Sequence, residues 1–148
     1  MELRGIYSDI LAEHNHSSPN RRRLENPTHV LKGVNPSCGD EIELELRVKD
    51  GVIEDAAFTG TGCAISQASV SIMADLIREK SLGEALKLAE VFFGMIKNEI
   101  TDEETLEQLE EAIALRDIAH MPARVKCAVL GWHTLENAVS GTSGSEMK

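Results

Sequence analysis

The sequence is short of aromatic residues, of cysteine and of positive charge. One Trp, one Tyr and three Phe make up 3% of its 148 residues, so its core must be assembled from Leu, Ile, Val, Ala and Met. No apolar stretch approaches the ~20 residues that a membrane-spanning helix needs, and no membrane insertion is expected. Residues 1–8 lack the charged-then-apolar layout of a secretion signal, so a cytoplasmic protein is expected. Fifteen Lys and Arg face 25 Asp and Glu, a formal net charge of -10. Such a surface repels phosphate backbones and offers anionic lipid no basic face, which argues against a general nucleic-acid binder. The three cysteines, Cys38, Cys63 and Cys127, are odd in number, widely spaced and form no Cys-x-x-Cys pair. That is a poor basis for a disulfide framework.

What is present fits one domain with a real core: 42% of residues are hydrophobic and 27% charged. Residues 1–139 are expected to form that domain, with the Gly/Ser-rich residues 140–148 as a disordered tail. Leu3, Ile6, Tyr7, Ile10 and Leu11 lie on one stripe and predict an amphipathic helix over 3–14. Residues 15–27, with two prolines and Arg21-Arg22-Arg23, predict a loop; the arginines read as solvated, with partner docking as the alternative. A short strand is expected over 28–34. Ile42, Leu44, Leu46 and Val48 then alternate with Glu43, Glu45, Arg47 and Lys49, a half-buried strand. Asp50-Gly51 is a two-residue hairpin signal, and 52–59 is the return strand. A helix is expected over 63–80, buried through Ile65, Ala68, Ile72, Leu76 and Ile77. Ser81 with Glu84 makes a capping box for a second helix carrying Leu82, Leu86, Ala89, Phe93 and Ile96. Residues 99–117 hold eight acidic side chains and one arginine, a solvated helical face anchored by Leu106, Leu109 and Ile113. Pro122 opens a last helix with Val125, Val129, Trp132 and Val139 on its apolar face. The predicted class is α+β: a small antiparallel three-stranded sheet packed against several helices.

The cysteines stand in telling places. Free cysteines often serve as small buried apolar residues, but each of these sits at a turn or a helix start. Cys38 lies in Asn35-Pro36-Ser37-Cys38-Gly39-Asp40, tight-turn chemistry leading into a strand. Asp40, two residues on, can point to the same side. Cys63 follows Gly60-Thr61-Gly62 and opens a helix, where backbone N–H groups favour thiolate. Cys127 lies five residues after Pro122, flanked by Arg124 and Lys126, whose charges also favour thiolate. Zinc takes four ligands from Cys, His, Asp and Glu in a tetrahedron, and Cys38, Asp40, Cys63 and Cys127 would supply them. Four anionic ligands on a dication leave about minus two, which Arg124 and Lys126 would offset. His14, His16, His29, His120 and His133 show no pair at helical ligand spacing and read as metal-free; His120 is the substitute ligand should Asp40 fail. Met73, Met95 and Met121 read as core filler.

Together the three contexts resemble the U-type iron–sulfur cluster assembly proteins, the IscU/SufU/NifU N-terminal family. Asn35 to Asp40 resembles that family's first cysteine motif, Gly60 to Ser69 its second and Arg124 to Trp132 its third. The resemblance covers residues 7–138. Lys126 stands where the scaffold branch has a histidine, and Met121-Pro122-Ala123-Arg124-Val125-Lys126 differs from that branch's Leu-Pro-Pro-Val-Lys segment. The spacer between Cys63 and Cys127 is also longer. These departures are similar to the SufU type. That resemblance implies a zinc-dependent sulfurtransferase partnered with a pyridoxal-phosphate cysteine desulfurase of the SufS type. Cys38 would accept the persulfide sulfur and Arg124 would steady the thiolate or persulfide. Asp40 would hold the metal while a partner histidine replaces Cys38. The sulfur would pass to a downstream SUF scaffold or other acceptor. Two rivals stand beside this reading: a scaffold binding a transient 2Fe-2S cluster or iron on the same ligands, and a purely structural zinc domain. Enzyme or scaffold is left open at this level.

Overall fold

The structure is a computed structural model that describes residues 9–14, 18–140 and 145–146. Residues 9–14 are helical, and the remainder of the helix expected over 3–14 lies outside the described residues. Three antiparallel strands follow: β1 (His29–Asn35), β2 (Asp40–Lys49) and β3 (Val52–Thr61). Leu44 sits opposite Leu31 on one side and Phe58 on the other. Ile42, Leu44 and Leu46 all point into the core and are buried, as their period-two spacing requires. Asp50 and Gly51 both take positive φ, 53° and 77°, the backbone that a tight Asp-Gly hairpin needs. β4 (Ser145–Glu146) adds a two-residue parallel bridge along β1. It falls within the stretch expected to be a disordered tail, whose residues 141–144 and 147–148 lie outside the described residues.

Helix α1 (Ala64–Ile77) runs through the middle of the molecule. The sequence predicts one buried stripe; instead 11 of its residues are buried, Ser66, Gln67, Ser69 and Ser71 among them. The buried hydroxyls are satisfied by hydrogen bonds: Ser69 Oγ donates to Ala128 O at 2.6 Å and accepts from Trp132 Nε1 at 3.1 Å. The helix stops at Ile77, short of Lys80. The next residues pair with β3 instead: Glu79 N–H donates to Ile53 O and Ile53 N–H to Lys80 O.

Helix α2 (Leu82–Ile96) carries the predicted capping box at Ser81 and Glu84. Its buried face runs through Ala85, Leu88, Ala89, Phe92 and Met95, rotated from the expected stripe because Phe92 rather than Phe93 stacks on Trp132, centroids 4.2 Å apart. The acidic stretch becomes a short helix α3 (Glu103–Leu106) and a 3₁₀ segment (Glu107–His120) kinked at Glu110. Leu106, Leu109, Ala112 and Leu115 anchor it. Helix α4 (Pro122–Ser140) closes the domain against α1 and β1. A Cβ at Gly131 would lie 2.9 Å from Val70 Cβ, so glycine lets α4 approach α1 this closely. No helix among the described residues is long and apolar enough to cross a membrane.

Candidate metal centre

The site is assembled where β1 ends, β2 begins, α1 starts and α4 passes. Asn35 and Asp40 face each other as the last paired residues of β1 and β2, and both are fully buried. The turn between them, with Gly39 at φ 71°, lifts Cys38 to an exposed position. Asp40 binds both of its neighbours. Its Oδ1 accepts the Cys63 N–H at 2.8 Å and its Oδ2 accepts from Asn35 Nδ2 at 3.2 Å. Cys63 is the N-cap of α1, and its Sγ accepts the Ser66 N–H at 3.4 Å. Cys127 comes from α4, buried, with Sγ 3.2 Å from Cys38 Sγ.

The donor atoms of Cys38, Asp40 and Cys127 all lie within 4.8 Å of one another. Cys63 falls outside that mutual distance, its thiol aimed at the α1 backbone. His120 is exposed and is not part of the group. Burial pushes the Cys127 thiol up from its ordinary range, reinforced by its hydrogen bonds with Cys38, Cys63 and Asp40. Arg124 lies one turn before Cys127. Its hydrogen bond to Cys127, and the neighbouring sulfurs of Cys63 and Cys38, raise its guanidinium further above its ordinary value.

Sequence reasoning treated Asn35 only as turn chemistry. The structure gives it a larger part: Nδ2 reaches both Asp40 and, at 3.8 Å, Cys127, while its Oδ1 is buried without a partner. The strand register, which pairs Asn35 with Asp40 across the turn, is the signal that would have found it. A buried carboxylate beside two thiols and an orphaned amide oxygen is costly without a compensating cation. The donor set, sulfur with one carboxylate, is of the kind that zinc takes. The residues therefore fit a zinc ion.

The model of the NifU-like N-terminal domain family matches residues 6–147. The chain belongs to this family. The IscU iron–sulfur cluster assembly scaffold protein of Thermotoga maritima is 40% identical to it over 97% of this chain and 99% of the relative. The zinc-dependent sulfurtransferase SufU of Bacillus subtilis is 34% identical over 94% of this chain and 92% of the relative. Among solved structures, one from Fervidobacterium islandicum described as an iron–sulfur cluster assembly scaffold protein for the SUF system superposes with a TM-score of 0.83. It is 36% identical and covers 93% of this chain and 99% of its own. The family read from the three cysteine motifs is thus established, as is the sheet-and-helix fold. The relatives' names divide between scaffold and sulfurtransferase.

Proposed function

We propose that this protein is a zinc-dependent sulfurtransferase of cytoplasmic iron–sulfur cluster assembly. It would take persulfide sulfur on Cys38 from a pyridoxal-phosphate cysteine desulfurase of the SufS type. The observation that carries the reading is the unequal placing of the thiols. Cys38 is exposed on a turn, Cys127 is buried and Cys63 is engaged as a helix cap. Cys38 is the most exposed of the three thiols and the one best placed to meet the sulfur of a docked partner.

Cys38, Asp40, Cys63 and Cys127 would hold the zinc, which supplies a dication that keeps thiols deprotonated. In the transfer step the Cys38 thiolate attacks the outer sulfur of the desulfurase persulfide. A new S–S bond forms at Cys38, the old one breaks, and the desulfurase cysteine departs as thiolate. The outer sulfur is passed on without any net oxidation or reduction. Arg124 carries a permanent positive charge on the same face and offsets the negative charge of thiolate and persulfide. Asp40, fixed by Asn35 and the Cys63 N–H, stays in place while Cys38 reacts. The desulfurase docks on the face around Cys38 and Arg124, with the buried Asp40 beneath it, and a downstream SUF scaffold or other acceptor takes the sulfur.

The second reading is a scaffold for a transient 2Fe-2S cluster or iron on the same four ligands. The Thermotoga maritima relative, the more similar of the two above, carries the scaffold name. The readings separate in one set of measurements. Desulfurase turnover is followed with wild type, Cys38→Ala and Asp40→Ala, together with metal content, visible spectrum and the mass of the protein after reaction. A colourless zinc protein that gains one sulfur atom on Cys38, with both variants failing to stimulate turnover, is the expected result. Stimulation by Cys38→Ala equal to wild type would remove Cys38 as acceptor. A brown protein holding iron and sulfide would favour the scaffold.

A further inference from the structure

His14 is the last described residue of the helical segment 9–14 and is only 7% exposed. Its Nδ1 lies 2.7 Å from Ser71 Oγ on α1. With Nδ1–H donating there, the Ser71 hydroxyl proton is left for Ser18 Oγ, 2.6 Å away. The ring is then fixed with the Nε2 lone pair facing outward from α1. What it faces is two carboxylates: Glu111 Oε1 at 3.5 Å and Asp75 Oδ2 at 4.0 Å. The three donor atoms lie within 4.8 Å of one another.

Asp75 is held by other groups. Asp75 Oδ1 accepts from Asn20 Nδ2 at 3.0 Å and from Arg78 Nη1 at 3.1 Å, which leaves Oδ2 for His14. Glu111 follows the kink at Glu110, φ 49° and ψ -123°, which re-aims the 3₁₀ segment. His14 and Asp75, each with a hydrogen-bonded second partner, have the usual surroundings of metal ligands. A lone pair aimed at two carboxylate oxygens is repulsive unless a proton or a metal cation lies between them. Arg78 does not supply it, because its guanidinium sits on the far oxygen of Asp75 and also binds Asp55. Glu13 lines the same cleft and adds to the negative field.

We propose that His14, Asp75 and Glu111 form a second site, for a divalent transition-metal ion of the zinc type, separate from the cysteine centre. One imidazole and two carboxylates are a nitrogen and oxygen set that suits zinc, iron(II) or manganese. Bonds of about 2.0–2.1 Å in a tetrahedron place ligand atoms about 3.3 Å apart, and His14 Nε2 already lies 3.5 and 4.0 Å from the two carboxylates. Asp75 and Glu111 are 39% and 53% exposed, which leaves coordination positions open to water. Asp75 lies near the end of α1 and Cys63 caps its start, about 18 Å away at 1.5 Å per residue. An ion here crosslinks the N-terminal helical segment, α1 and the kinked acidic segment. The expectation that His14 is metal-free came from its lack of a helical-spacing partner; its partners are 61 and 97 residues away in sequence.

The full chain is titrated with Zn2+ by calorimetry and with Co2+ by absorption. Two equivalents are expected in wild type. One gives sulfur-to-cobalt charge-transfer absorption and is lost in Cys127→Ser. The other gives none, and binds about tenfold or more weakly in both His14→Gln and Glu111→Gln. Glu111 is exposed, so its variant folds even if His14→Gln does not. A single equivalent in wild type at micromolar free metal would mean that Nε2 faces the carboxylates through a proton, and would overturn the proposal. A second equivalent of unchanged affinity in Glu111→Gln would overturn it as well. Loss of the sulfur-bound equivalent alone would count against the cysteine centre and leave this site standing.

Discussion

Replacing Gly62 with alanine would place a methyl group against the carboxylate at the heart of the cysteine cluster. The added Cβ would lie 2.5 Å from Asp40 Oδ1 and 2.7 Å from Ser66 Oγ. Ser66 can rotate its hydroxyl away, but Asp40 is fully buried and bound on both oxygens. The methyl must therefore push the carboxylate off the Cys63 N–H. Overpacking costs about 1–3 kcal/mol, and the lost bond to a charged acceptor about 1.5–3 kcal/mol, so a loss of about 2.5–6 kcal/mol is expected. Domains of this size are stable by roughly 5–15 kcal/mol, so the variant should fold with a damaged site. Gly83→Ala is the control: nothing lies within 4 Å of its Cβ, and alanine in a helix is neutral to about 1 kcal/mol stabilising. Urea unfolding in a chelator, followed by the fluorescence of buried Trp132, gives both numbers, and zinc content is measured alongside. Gly62→Ala within about 0.5 kcal/mol of wild type, and fully zinc-loaded, would refute the placement of Asp40.

Asp55 is the acid-sensitive tie between the Arg-rich loop and the sheet. Burial is the largest influence on its carboxyl and raises it, but hydrogen bonds from Arg22, the Ala56 N–H and Arg78 together hold it below its ordinary value. A depressed carboxyl contributes stability above its unfolded value, near 4, and loses it as pH falls through the folded value. Asp55→Asn should cost about 1.5–3 kcal/mol at pH 7, and its gap to wild type in urea midpoint should shrink as pH falls below about 4; a constant gap would contradict this. Ser81→Ala removes the α2 capping box and should cost about 1 kcal/mol in the same unfolding experiment, with no change in zinc content.

Where the signal was local, the sequence was readable. The alternation of Ile42, Leu44 and Leu46, the Asp50-Gly51 turn and the Ser81–Glu84 box each depend on residues a few positions apart, and each reappears in the structure. The cysteine contexts were readable for the same reason, and three of the four expected ligands meet in space. What could not be read depends on distant partners. Helix α1 is buried on nearly all sides because its serines find acceptors and donors on α4 and near residue 18, which no periodicity reveals. Its early end follows from pairing with Ile53. Asn35 and His14 look unremarkable in one dimension, and each acquires its role only from tertiary neighbours.

Cys63 brings these two kinds of information together. The glycine-rich context that marked it as a ligand also makes it the residue that starts a helix, and the structure uses its sulfur for that purpose. The two uses are compatible, because a thiolate that binds a cation can still accept a backbone N–H. Asp40 accepts the Cys63 N–H, and Cys63 Sγ accepts the Ser66 N–H, so the donor set and the first turn of α1 share the same atoms. An ion bound by this set would tighten that turn, and fraying of the turn would weaken the ion's hold. A partner that drew Cys38 away would leave Asp40 and Cys63 anchored by the helix, so the exposed turn would move while the rest of the set stayed in place.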